Sequence, residues 1–134
     1  MSRSYKPILI LCEDRQQDVA IRHFLKQYYG IGEHAFQVKF ATSGSGKQFV
    51  QSNYAAWVKL YRQKAHHLNI ALVVVIDADE NTLVECYQIF DDRLKQHYQS
   101  PRSSQDRIAI FIPRRNIETW IYFLQGRGYH LSSS

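Results

Sequence analysis

The sequence predicts an α/β fold, a three-layer sandwich of about four mainly parallel strands with helices on both faces. Three observations point there. Short apolar runs alternate with longer amphipathic stretches along the whole chain. The runs Ile8 to Cys12, Ile70 to Ile76 and Ile108 to Ile112 are apolar throughout, as strands covered on both faces are. The stretches between them are long enough for helical crossovers, which parallel pairing requires.

Ile8 to Cys12 is the first strand, and Arg15 to Tyr29 the first helix. In that helix Val19, Ile21, Phe24, Leu25 and Tyr28 approximate a helical face, and Gly30 is its stop. Phe36 to Ala41 is a second strand. Its apolar Phe36, Val38 and Phe40 alternate with Gln37 and Lys39, the pattern of a strand at the edge of the sheet. Thr42 to Lys47 reads as a loop. Gln48 to His67 is the second helix, with Phe49, Trp57, Leu60 and Tyr61 inward.

Ile70 to Ile76 is the third strand and the candidate sheet centre. Asn81 or Thr82 caps a third helix running to Tyr98, with Leu83, Tyr87, Phe90 and Leu94 inward. Gln99 to Asp106, containing Pro101, is a polar surface loop ahead of the fourth strand, Ile108 to Ile112. Asn116 caps a fourth helix with Ile117, Trp120, Ile121 and Leu124 on one face, and Gly126 and Gly128 end it. Ser132 to Ser134 reads as a frayed end, and a further C-terminal segment is expected beyond it.

A chain of 134 residues is expected to be a single domain, with its core over residues 7–126. Composition, 45% hydrophobic and 22% charged, is that of an ordinary globular protein. No apolar run approaches the ~20 residues that span a bilayer. The segment before the first strand lacks a signal-peptide core, so cytoplasmic residence without membrane contact is the expectation. Cys12 and Cys86 lack metal-ligand spacing and read as reduced core residues. The net charge of +5 suits a polyanionic partner.

Function is read from acids at strand ends. Glu13 follows the first strand, Asp77 and Asp79 the third, and Glu118 comes shortly after the fourth. In a parallel sheet the carboxyl ends of the strands share one edge, where ligands bind. Carboxylates brought together there repel and call for a cation. Hard oxygen donors select Mg²⁺ or Mn²⁺. Asp77 and Asp79, two residues apart after a buried strand, form the strongest motif. Glu13 is a metal ligand or a general base. Asp14 reads as surface charge near a helix start, and Asp18, one turn into the helix, as an acid that could face the same edge. Lys47, Arg114 and Arg115 surround the acids, and guanidinium suits phosphate oxygens.

Gly44-Ser45-Gly46-Lys47 invites a nucleotide-loop reading, but a full P-loop places glycine and Ser or Thr where this chain has Ala41 and Gln48. A backbone nest for one phosphate at Gly44 and Gly46 stays open. His66 and His67 read as cations at a helix end.

In order, spacing and strand context these residues resemble the Toprim domain, the fold shared by topoisomerases, bacterial primases, several nucleases and small stand-alone proteins. In that family a glutamate ends the first strand and Asp-x-Asp ends the third, matched here by Glu13 and by Asp77 with Asp79. The turn of Gly44 to Gly46 matches the glycine-containing turn after the second strand. Pro113 to Trp120 resembles a proline-then-Glu-x-Trp feature of small Toprim-like proteins from defence-type settings, which implies Glu118 as a further site acid. The resemblance covers residues 7–126. It departs at Asp14, where the family often has glycine, and at Asp18, where the family's next aspartate comes one residue earlier.

The resulting expectation is Mg²⁺- or Mn²⁺-dependent phosphodiester chemistry on DNA or RNA, as in a Toprim-type nuclease. Asp77, Asp79 and Glu118 hold metal with Glu13 as ligand or base, while Lys47, Arg114 and Arg115 hold the nucleic-acid backbone. The alternative is a non-catalytic binding or regulatory module acting with a partner such as an ATPase. A receiver-like scaffold, with Asp77 as the phosphorylated aspartate, ranks third, because Arg114 and Arg115 follow the fourth strand instead of lysine.

Overall fold

The apolar runs form strands β1 (Ile8–Cys12), β2 (Phe36–Phe40), β3 (Ala71–Val75) and β4 (Ile108–Phe111). Helices α1 (Arg15–Tyr29), α2 (Gly46–Ala65) and α3 (Leu83–Gln96) fill the connections. The computed structural model describes residues 6–77 and 81–112. The expected fourth helix lies outside them.

The four strands pair in parallel in the order β2-β1-β3-β4. Successive side chains of a strand point to opposite faces, and the core divides accordingly. Ile10, Cys12, Val73 and Val75 pack with Ala20, Ile21, Phe24 and Leu25 of α1. Leu9, Leu11, Leu72, Val74, Ile108 and Ile110 pack with α2 and α3 on the other face. Helices therefore cover both faces, as predicted. α1 leads leftward from β1 to β2 on one face, while α2 and α3 lead rightward on the other, so all three crossovers share one hand.

β1 and β3 are the two central strands, and Leu9 to Cys12 and Leu72 to Val75 are buried in succession. β2 is an edge strand whose exposure alternates as its sequence does. The helix faces differ from expectation in detail. Val19 is 52% exposed, and Ala20 takes its place on the inner face of α1. In α2 the buried set is Val50, Tyr54, Ala55, Trp57, Val58 and Tyr61, with Phe49 and Leu60 only flanking it. α3 buries Cys86 beside Phe90 and Leu94. Both cysteines are buried and neither forms a disulfide.

Local chemistry explains the helix ends. Asp14 caps α1 by accepting from Gln17 N, and Gly30 closes it in the left-handed region at φ 64°. Ser45 caps α2. Thr82 caps α3 in a full capping box, its Oγ1 accepting from Glu85 N and its own N–H donating to Glu85 Oε1. The polar loop before β4 is fastened by Arg62, which donates to Asp106 Oδ2 at 2.8 Å and to the Ser100 carbonyl at 2.9 Å. Burial pushes the Asp106 carboxyl up, but Arg62 and the Ser103 N–H outweigh burial and hold it below its usual value.

Tyr54 is fully buried edge-on against Phe90, with ring centroids 4.7 Å apart. Its hydroxyl has no hydrogen-bond partner among the described residues, and burial pushes its pKa up to about 12. A buried polar group left unpaired costs ~1–3 kcal/mol.

Candidate functional site

The chain reverses its direction of travel across the sheet between β1 and β3, because β1 leads to β2 on one side and β3 leads to β4 on the other. In open α/β sheets ligands bind outside the strand carboxyl ends at such a switch point. Glu13 and Asp77 are the residues that emerge there.

Their contact follows from strand geometry. Alternate N–H groups of a strand point to opposite neighbours. In and around β3, Leu72 and Ile76 donate towards β4, to the Arg107 and Phe111 carbonyls, whereas Ala71 donates towards β1, to Pro7. Asp77, in phase with Ala71, also faces β1, but β1 has ended at Cys12. The Glu13 carboxylate takes the missing carbonyl's place: Asp77 N donates to Glu13 Oε2 at 3.0 Å. One charged side chain thus adds a rung to the central ladder, and it holds the two residues side by side.

Glu13 is fixed from two further directions. Its own N–H donates to Gln17 Oε1 at 2.7 Å. The start of α2 presses on its backbone: a Cβ on Gly46 would lie 2.4 Å from the Glu13 carbonyl oxygen and 2.7 Å from Glu13 Cβ. No side chain fits there without displacing backbone. Gly46 and Lys47 therefore belong to the first turn of α2, not to the loop that the sequence suggested. Gly44, at φ 75°, makes the turn that brings this helix end against Glu13.

The other acids of this edge have local tasks. Asp14 is the α1 cap. Asp18 is buried, and both its oxygens accept from Arg22, Oδ1 at 2.7 Å and Oδ2 at 3.0 Å. It is committed to an ion pair along α1, where the sequence had left open that it could face the edge. Arg22 also bridges to Glu33 at 2.9 Å, and Lys26 pairs with the same Glu33. Burial pushes the Cys12 thiol up to about 12, with the charges of Asp18, Asp14 and Glu13 adding to the effect. Cys12 is therefore a protonated core thiol and no nucleophile.

Asp79, Glu118, Arg114 and Arg115 lie outside the described residues. Among the described residues, no group of three or more His, Cys, Asp or Glu side chains could hold a metal ion. The pair Glu13 and Asp77 supplies the hard oxygen donors that suit Mg²⁺, an ion commonly bound through one or two carboxylates plus phosphate oxygens and water.

Gln17 is the site residue that the sequence reading missed. It is only 2% exposed, its N–H donates to Asp14 Oδ1 at 2.9 Å, and its side-chain oxygen holds Glu13. The spacing Asp14-x-x-Gln17 is a capping-box signal that could have revealed it. The opposite, amino edge of the sheet carries an open polar pocket of about 540 Å³ lined by Tyr61, His66, His67, Asn69, Gln105 and Arg107. The strand-end acids are at the other edge.

No family model matches the chain, and comparisons with curated proteins and with solved structures give no match. Among the described residues, no helix is long and apolar enough to cross a membrane.

Proposed function

We propose that this chain is a Toprim-like protein that carries out Mg²⁺- or Mn²⁺-dependent phosphodiester chemistry on nucleic acid, as a nuclease. The observation that carries this reading is the 3.0 Å hydrogen bond from Asp77 N to Glu13 Oε2 at the switch point of the sheet. It keeps an acid from β1 beside an acid from β3 at the edge where ligands bind. Glu13 and Asp77 would hold the ion, joined in this reading by Asp79 and Glu118. The ion supplies polarisation of a phosphate oxygen and a lowered pKa for bound water.

The chain's own part is to orient and to move a proton. Glu13 Oε2 accepts from the Asp77 N–H, which orients the carboxylate that would take a proton or face the ion. Lys47 stands in the turn beside Gly46 and would meet the phosphate backbone, together with Arg114 and Arg115. The net charge of +5 favours that polyanion.

Incubation with end-labelled single- and double-stranded DNA and RNA tests this reading. Cleavage that needs Mg²⁺ or Mn²⁺ and disappears in Asp77→Asn supports it. Metal-dependent stabilisation without cleavage of any of the four substrates replaces it with a binding or regulatory module, one whose partner would be another protein such as an ATPase.

A further inference from the structure

We propose that Gln17 is a positioning residue that fixes Glu13 for metal binding, an inference that rests on the reading just given. In an ordinary capping box the third helical residue reaches back to the N–H of the cap itself, as Glu85 does to Thr82 N at 2.7 Å in α3. α1 has the same spacing, but Gln17 reaches one residue further. Its Oε1 accepts from Glu13 N at 2.7 Å, not from the cap Asp14. The bond falls on the residue whose carboxylate stands at the switch point.

The other end of the amide shows why this is not ordinary stabilisation. Gln17 is 2% exposed, and its Nε2 has no hydrogen-bond partner among the described residues. The acceptance from Glu13 N–H fixes which end of the amide is oxygen, since a flipped amide would set two donors against each other. An apolar side chain of similar length would avoid burying that unpaired nitrogen. The oxygen is what the position needs, and its one partner among the described residues is Glu13. Together with Gly46 against the Glu13 backbone and Asp77 on its carboxylate, Gln17 completes a three-point clamp.

The test compares wild type, Gln17→Met and Gln17→Glu in three measurements: Mn²⁺ affinity by calorimetry, thermal midpoint, and hydrogen exchange of the Glu13 amide by NMR without metal. Met keeps the length and removes both polar ends, whereas Glu keeps an oxygen for the Glu13 N–H. The expected result for Gln17→Met is a roughly tenfold loss of Mn²⁺ affinity, with fast Glu13 exchange and a midpoint within about 4 °C of wild type. Gln17→Glu is expected to restore slow Glu13 exchange and most of the affinity.

Wild-type affinity in Gln17→Met overturns the proposal, as does equal loss in both variants. A collapsed midpoint in Gln17→Met also overturns it, by assigning Gln17 to the fold. If wild type binds no Mn²⁺, the metal reading of the site fails and takes this inference with it, a result distinct from the other three.

Discussion

The backbone N–H of Asp77 donates to the Glu13 carboxylate at 3.0 Å, just beyond the ends of β1 at Cys12 and β3 at Val75. A charge at this position is bonded into the centre of the sheet. Its geometry is set by the two most buried strands among the described residues, and not by loop flexibility. Glu13→Gln keeps an oxygen that can accept from Asp77 and removes the charge. We expect it to fold as wild type and to lose metal binding, with circular dichroism and a thermal melt as the check on folding.

Gly46→Ala should damage the same place by a steric route. Its Cβ would meet the Glu13 carbonyl and Cβ at distances that real contacts do not reach, so the start of α2 must retreat. A stability loss of ~1–3 kcal/mol is expected, read from urea denaturation. Metal affinity should fall with it. An alanine variant as stable as wild type would show that α2 does not press on Glu13.

Tyr54→Phe should stabilise the protein. The substitution preserves the edge-on packing against Phe90 and removes a buried hydroxyl with no partner among the described residues. A gain of ~1 kcal/mol is expected, visible as a raised urea midpoint with an unchanged slope. A loss of similar size would mean that the hydroxyl is bonded.

Stability should fall under alkaline conditions. Burial raises Cys12 from 9.0 to about 12 and Tyr54 from 10.0 to about 12. The folded state then holds protons that the unfolded chain has released. The contribution is complete below pH 9.0 and is lost as pH rises from there through about 12. Each group adds a slope of up to about 1.4 kcal/mol per pH unit. Urea midpoints between about pH 8 and 11 measure it. Cys12→Ala should flatten the first part of the decline, and an unchanged slope would remove Cys12 from the explanation.

Much of this fold was legible because local and tertiary demands agree. β1 keeps its predicted bounds, since an apolar run ends at a charge, and α1 keeps its bounds between the Asp14 cap and Gly30. β2 reads as an edge from its alternation, and it is one. The start of α2 was missed because Gly46 signals a loop in sequence, whereas its glycine serves a close approach to Glu13, a contact made across the fold.

The strand-end placement of Glu13 and Asp77 was readable from where the apolar runs stop. Their hydrogen bond was not, because it depends on which neighbour each β3 N–H faces. Asp18 carried a signal that pointed elsewhere, the helical spacing to Arg22, and the pair formed. Gln17, a polar residue in the first turn of α1, drew no expectation from the sequence. Only packing shows that it is buried.

Calorimetric titration of Mn²⁺ into wild type, Glu13→Gln and Asp77→Asn tests the central claim most directly. The account predicts a saturable site in wild type and at least a roughly tenfold weaker one in each variant, with all three folded. No saturable binding by wild type, or equal affinity in all three proteins, would contradict it.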